Sequence, residues 1–236
     1  MLVVEDVVVE YGGMTALRKV SIKLAEGEFV SIVGPNGAGK STILKAISGT
    51  VRCKSGHIYY RNNEITGMPA HKRTELGIIH VPEGRRIFPS LTVMENLEIG
   101  AYRPEARGSA AKTLEMVFEY FPILKERREQ RGSNLSGGEQ QMLAISRGLM
   151  SMPHVLILDE PSLGLSPRLT EVIFEAVRKL QENLKFSILL VEQRALEALE
   201  LCNRGYILES GRITTSGDRE QLMGNSVVQR AYLGAI

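Results

Sequence analysis

Residues Gly34–Ser41 read GPNGAGKS and satisfy the spacing G-x-x-x-x-G-K-[ST] at every defined position. The stretch follows EGEFVSIVG, a short apolar run of the kind that forms a buried parallel strand. It precedes STILKAISG, which reads as a helix closed by Gly49. A strand, a glycine loop and a helix in that order confine the chain to an α/β fold with a mainly parallel sheet. The glycines let backbone N–H groups turn inward, and the start of the helix adds a partial positive charge, so the loop is a cradle for phosphates. Gly34, Pro35, Asn36, Gly37, Ala38, Gly39, Lys40, Ser41 and Thr42 are the expected nucleotide-contacting positions. Lys40 is placed to reach the β- and γ-phosphates, and Ser41 Oγ to ligate Mg²⁺, a hard ion that takes oxygen ligands.

The remaining pattern supports the same class. LVVEDVVVEY and KVSIKL carry β-branched residues in partial alternation, and Gly56–Ile65 reads as a hairpin turning at Asn62-Asn63. From Thr92 to Met150 the helical period takes over, with an apolar stripe at Leu114, Val117, Phe118 and Phe121. Two apolar runs follow, HVLILDE and FSILLVE, with a helical segment over Ser166–Leu184 between them. RGYILESGRIT predicts a hairpin about Ser210-Gly211, and a helix ends the chain. The expected organisation is one domain over 1–236, with an α/β core and an N-terminal antiparallel β subdomain in 1–91 and 151–236. An inserted α-helical subdomain occupies 92–150.

Composition sets limits on partners. The 29 basic and 27 acidic residues leave a net charge of +2, so whole-chain electrostatics favour neither nucleic acid nor a membrane surface. No apolar run approaches the ~18 residues of a membrane span. The opening MLVVEDVVVE is broken by Glu5, Asp6 and Glu10, unlike a signal peptide. A cytoplasmic protein is expected, joined to a membrane only through a partner. Cys53 and Cys202 lack metal-ligand spacing and are expected to be buried, reduced thiols.

Two further motifs bear on chemistry. Asp159 and Glu160 end the apolar run VLIL, and a carboxylate at the C-terminal end of a parallel strand points toward the ligand crevice. Asp159 is the expected Mg²⁺ partner, and Glu160 the expected base that polarises an attacking water. Ser136-Gly137-Gly138-Glu139, within LSGGEQQ, has the S-x-x-E form of a capping box. Its two glycines also leave N–H groups uncovered at a positive helix end, which makes a second anion site. Within one chain that site would duplicate the phosphate loop. Across a head-to-tail pair, the two would clamp one γ-phosphate from both sides.

With these motifs in place, the chain resembles the ATP-binding subunit of ABC transporters over nearly its whole length. The resemblance implies that Tyr11 stacks on adenine and that Leu135–Gln141 is the family signature. It also exposes three departures. The family's usual Gln after the third core strand aligns with Glu83, its switch His with Gln193, and its Asp after the catalytic Glu with Ser166. Glu83 can still offer an oxygen to Mg²⁺, and Arg85 and Arg86 are expected to offset its charge. Gln193 can donate to a γ-phosphate oxygen but cannot carry a proton, so hydrolysis is expected without an ionisable residue at this position. VPEGRRIFPSLTVMENL, LVEQ, EPSLGLSP and the closing AYLG (Ala231–Gly234) are similar to ATPase subunits of branched-chain amino acid importers.

That likeness implies a peripheral subunit on the cytoplasmic side of the cell membrane, with ATP and Mg²⁺ as cofactors. A second ATPase subunit, identical or related, and transmembrane permease subunits are the implied partners. Docking is expected near the Glu83–Thr92 loop, through Ile87, Phe88 and Leu91. Importers of urea or short amides share much of the pattern. A non-transport ATPase of the same family would carry coiled coils, duplicated domains or basic arms, and a module that binds ATP without turnover would not need Lys40, Asp159 and Glu160 together.

Overall fold

A computed structural model describes residues 1–232. The chain opens with β1 (Leu2–Tyr11), β2 (Met14–Leu24) and β3 (Phe29–Val33), then α1 (Lys40–Ser48). β4 (Ser55–Tyr60), β5 (Asn63–Glu64), α2 (Ala70–Glu75) and β6 (Ile78–Val81) follow. Four helices come next: α3 (Val93–Gly100), α4 (Pro104–Tyr120), α5 (Pro122–Glu126) and α6 (Gly137–Met150). The α/β alternation then resumes with β7 (Val155–Asp159), α7 (Pro167–Leu184), β8 (Ser187–Glu192), α8 (Ala195–Leu201), β9 (Arg204–Glu209) and β10 (Arg212–Asp218). α9 (Arg219–Gly224) and α10 (Ser226–Tyr232) complete the described residues. Leu233 and Gly234 of the AYLG stretch lie outside them.

Two sheets organise the molecule. An antiparallel sheet has the order β2-β1-β4-β5, and a six-stranded sheet has the order β10-β9-β3-β8-β7-β6. In the larger sheet five strands run parallel and only the edge strand β10 is antiparallel. The period-2 geometry of β7 and β8 divides their buried side chains between two cores. Val155, Ile157, Leu189 and Val191 pack with α1 and the antiparallel sheet, whereas Leu156, Leu158, Ile188 and Leu190 pack with the helices around α6 and α7. This explains why VLILD and SILLVE read as unbroken buried runs: each strand has protein on both faces.

Two details depart from the sequence expectations, and a third agrees with them. The hairpin after β4 turns at Arg61-Asn62, because those two residues hold the left-handed backbone (φ 48° and 65°) that a tight antiparallel turn demands. Asn63 is already paired with Tyr60 in the ladder. Cys53 is only partly buried, in a loop beside the smaller core, while Cys202 is buried, and both thiols are free. The apolar stripe on α4 does face the core, with Val117 and Phe121 enclosed and Leu114 and Phe118 half-buried against it.

Candidate nucleotide site

The phosphate loop joins the end of β3 to the start of α1. Gly39 caps α1 with φ 107°, a backbone region that side chains disfavour, and a Cβ there would lie 2.8 Å from Leu17. No side chain caps this helix start, so its first N–H groups remain available to an anion. Lys40 is 4% exposed, and its Nζ donates to the carbonyls of Gly34 at 2.9 Å and Pro35 at 3.2 Å. The same ammonium pairs with Glu160 Oε1 at 3.0 Å.

Strand ends supply the carboxylates. Asp159 closes β7 at 3% exposure and accepts from Ser41 Oγ at 3.0 Å. Burial pushes the Asp159 carboxyl above its ordinary range, Ser41 works against the shift, and the charges of Glu160 and Glu83 reinforce it. An arriving divalent cation would reverse that balance. The donor set, a hydroxyl beside a buried carboxylate, is all oxygen and suits Mg²⁺. Among the described residues no group of three or more His, Cys, Asp or Glu could hold a metal alone, so such an ion would complete its shell from phosphate oxygens. Glu160 itself has a left-handed backbone (φ 45°), and its N–H bonds Val191 O at 2.9 Å, which fixes it across the β7–β8 junction.

Lys40, Ser41 and Glu160 share one cleft of about 480 Å³, and Asp159 lies behind its lining, bonded to Ser41. Tyr11, Lys40, Ser41, Glu83, Glu160 and Gln193 line it, as do Asn36, Gly37, Gly39 and Thr42. Tyr11 is 43% exposed at the end of β1. Gly34 and Ala38 are buried behind the loop, Pro35 is exposed, and Ser166 begins α7 outside the lining. Glu83 forms no ion pair with Arg85 or Arg86, contrary to expectation. Both arginines hold left-handed backbone, and Arg85 turns instead to the signature helix, where its Nη1 donates to Gln140 Oε1 at 3.2 Å.

Ser136–Glu139 do not line this cleft. They begin α6 with both halves of a capping box: Ser136 N donates to Glu139 Oε2 at 2.7 Å, and Glu139 N to Ser136 Oγ at 3.4 Å. Arg127 Nε lies 2.8 Å from Glu139 Oε1 and neutralises it. The Arg85 guanidinium covers Gly137, where an added Cβ would sit 2.7 Å from Nη2. Two cations therefore flank the signature face.

The sequence reading missed three contributors. Glu192 ends β8 as Asp159 ends β7, and a charge closing an apolar run was the available signal. Arg73 and Arg103 are both almost wholly enclosed, at 1% and 2% exposure, and cap the carboxyl ends of α1 and α6. Arg73 donates to Ala46 O and Ile47 O at 2.7 and 2.8 Å, and Arg103 to Ser151 O and Met152 O at 2.9 and 2.8 Å.

Comparisons with known proteins place the chain in a family. The sequence pattern of the family described as ABC transporter matches residues 17–163. The high-affinity branched-chain amino acid transport ATP-binding protein BraG of Pseudomonas aeruginosa is 45% identical over 234 residues, 99% of this chain and 100% of its own length. A probable branched-chain amino acid transport ATP-binding protein, LivF of Archaeoglobus fulgidus, is 38% identical over 226 residues, 96% of this chain and 95% of its own. Among solved structures, a nucleotide-free ATP-binding cassette from an ABC transporter superposes with a TM-score of 0.86 at 28% identity, covering 100% of this chain and 99% of its own. A dimeric post-hydrolysis cassette bound to ADP and phosphate does so with a TM-score of 0.79 at 28% identity, covering 93% and 99%. A family pattern that spans more than half of the chain and a relative 45% identical over nearly all of it show that the chain belongs to the ABC transporter family.

Proposed function

We propose that the protein is the ATP-hydrolysing, energy-coupling subunit of an importer for branched-chain amino acids. It works as one half of a head-to-tail ATPase pair, beneath permease subunits on the cytoplasmic side of the membrane. Among the described residues no helix is long and apolar enough to cross a membrane, so the permease would hold it there. The observation that carries this reading is the division of phosphate-binding elements. The P-loop, Glu160 and Gln193 share a cleft, while Ser136–Glu139 present a second anion-binding helix start away from it. Only a partner's signature face can close over this chain's phosphates.

Each residue then has a task. Tyr11 stacks on adenine, and the loop N–H groups with Lys40 hold the phosphates. Lys40 must exchange Glu160 for a phosphate oxygen, and the same exchange frees Glu160 to take a proton from the attacking water. Gln193 donates to a γ-phosphate oxygen. Ser41, Asp159 and Glu83 would hold Mg²⁺, which supplies charge neutralisation across the β- and γ-phosphates when bound. Higher affinity of ATP for the closed pair than for the open one drives closure.

The permease would dock in a neighbouring groove of about 600 Å³ between β6, α3 and α6. Phe88, Ile99 and Tyr102 line it and are 45%, 43% and 46% exposed. Of the three docking candidates in the loop after Glu83, Phe88 is the one that reaches this groove. Ile87 and Leu91 are half-buried, with Ile87 packed on the core. His80 Nε2 and Arg147 Nη1 find no hydrogen-bond partner among the described residues, and both residues line the groove. A cytoplasmic helix offering apolar side chains to Phe88, Ile99 and Tyr102 fits it.

The test is phosphate release by the chain in its complete transport complex. Receptor loaded with leucine, isoleucine or valine should accelerate release. Stimulation by urea or short amides instead would reassign the cargo, and no release under any condition would refute the ATPase reading.

A further inference from the structure

Glu192 is the last residue of β8 and is 2% exposed. Its Oε1 accepts from Ser162 N at 2.9 Å and its Oε2 from Ser162 Oγ at 2.9 Å. Oε2 also accepts from the Gln193 backbone N–H at 3.3 Å. Ser162 lies two residues after Glu160, whose own N–H is bonded to Val191 O. One buried side chain therefore ties the loop after Glu160 to the backbone of Gln193, and both Glu160 and Gln193 face the nucleotide cleft.

We propose that Glu192 is a positioning residue for ATP hydrolysis: its carboxylate sets Gln193 against Glu160, and protonation of that carboxylate releases Gln193. This rests on the reading of Glu160 and Gln193 as the hydrolysis pair. Three donors converge on two oxygens only while the group is ionised. A proton on Oε2 makes that oxygen a donor, the Ser162 hydroxyl turns to accept from it, and the Gln193 N–H is left with only the weak acceptor of a hydroxyl oxygen. Burial pushes Glu192 up to about 7, with the Ser162 donors opposing the shift and the Glu160 charge adding to it. Lys40 is paired with Glu160 at 3.0 Å, and Arg194, beside Gln193, is held by Glu197 at 3.1 Å. The exchange thus falls near neutral pH, and an ionisable group stands one residue from the Gln that replaces the family's His.

The experiment is a pH profile of kcat for the native protein in its transport complex, beside Glu192→Gln and Ser162→Ala. Native kcat should rise about tenfold with pH, the size expected for one hydrogen bond to a charged group, with its inflection near 7. Glu192→Gln keeps the shape of the side chain but cannot ionise, and with its one carbonyl oxygen held by the Ser162 N–H it turns an NH₂ group toward the Gln193 N–H. Its kcat should be flat with pH, at about a tenth of the native alkaline value, with native melting temperature and ATP affinity. Ser162→Ala removes a donor to the ionised form, so its inflection should move to higher pH. A native profile in Glu192→Gln, or an unmoved inflection in Ser162→Ala, overturns the clamp. Glu160→Gln in the same assay separates the two readings. If it abolishes turnover while Glu192→Gln behaves as native, only the clamp falls. If Glu160→Gln turns over normally, the hydrolysis reading falls and the clamp falls with it.

Discussion

The helix that follows the P-loop and the helix that opens at Ser136 are finished by opposite rules. α1 starts at a left-handed glycine with no side-chain cap, whereas α6 starts at Ser136 with a complete capping box. The start of α1 therefore gains most when an anion supplies the missing acceptors. The start of α6 is stabilised by its own side chains and can be offered to a partner as a preformed face. At their far ends the helices agree, because a buried arginine closes each: Arg73 on α1 and Arg103 on α6. Each helix is thus tied into the protein at its carboxyl end, while their starts differ.

The largest expected effect is on the α1 side. Glu160→Gln should slow phosphate release by about 10²–10⁴, the usual contribution of a general base. ATP binding should be retained or tightened, since Lys40 no longer has a charged competitor. Unchanged turnover would remove Glu160 from that role. Lys40→Ala should impair binding as well as turnover, which a nucleotide titration would show.

Next come the two arginine caps. Arg73→Met and Arg103→Met should each destabilise the fold by about 3 kcal/mol, because buried carbonyls lose their donors. Only Arg73→Met should also weaken ATP binding by the isolated chain. Equal loss of binding in both variants would break the comparison between the helices. Thermal melts and nucleotide titration together decide this.

A smaller effect is expected at the signature. Ser136→Ala should cost about 1 kcal/mol of stability through the lost cap. It should leave ATP binding by a single chain intact while weakening ATP-driven pairing, measured by light scattering on a Glu160→Gln background. Weakened binding by the single chain would place Ser136 in the same pocket as Lys40 and contradict the split.

Smallest is the pH signature of Glu139. Burial acts to raise its carboxyl, yet the Ser136 bonds and the Arg127 charge outweigh it and hold the group below its ordinary value of 4.5. A lowered carboxylate contributes stability above its unfolded pKa and loses it as pH falls through the folded one. Glu139→Gln should therefore cost about 0.5 kcal/mol near neutrality and nothing once the pH is well below 4.5. Asp159, on the α1 side, is shifted the other way. A stability difference for Glu139→Gln that persisted into acid would show that packing, rather than charge, holds the α6 cap.

Much of the site was legible from local pattern. A P-loop needs consecutive residues, so Gly34–Ser41 identifies itself, and Asp159-Glu160 is flagged by charges ending an apolar strand. The capping box likewise lies within four residues of chain. Arg85 was legible as a charge but not as a contact. Its direction depends on three successive left-handed residues, Gly84, Arg85 and Arg86, and only the glycine signals that backbone in the sequence. The hairpin after β4 was placed one residue late for the same reason, since Arg61 rarely takes the conformation that Asn62 favours.

By itself, the sequence determined the strand–loop–helix order about the P-loop, the apolar runs that form β7 and β8, and the residue types of the loop. These follow from periodicity and from residues adjacent in the chain, where covalent geometry dictates what lies near what. Only the tertiary structure decided that Lys40 pairs with Glu160, that Glu192 joins Ser162 to Gln193, and that Arg73 and Arg103 close helices far from them in sequence. Each of these is a buried polar group whose partner is chosen by the need to satisfy every enclosed donor and acceptor. That requirement acts across the folded core and leaves no periodic mark on the chain.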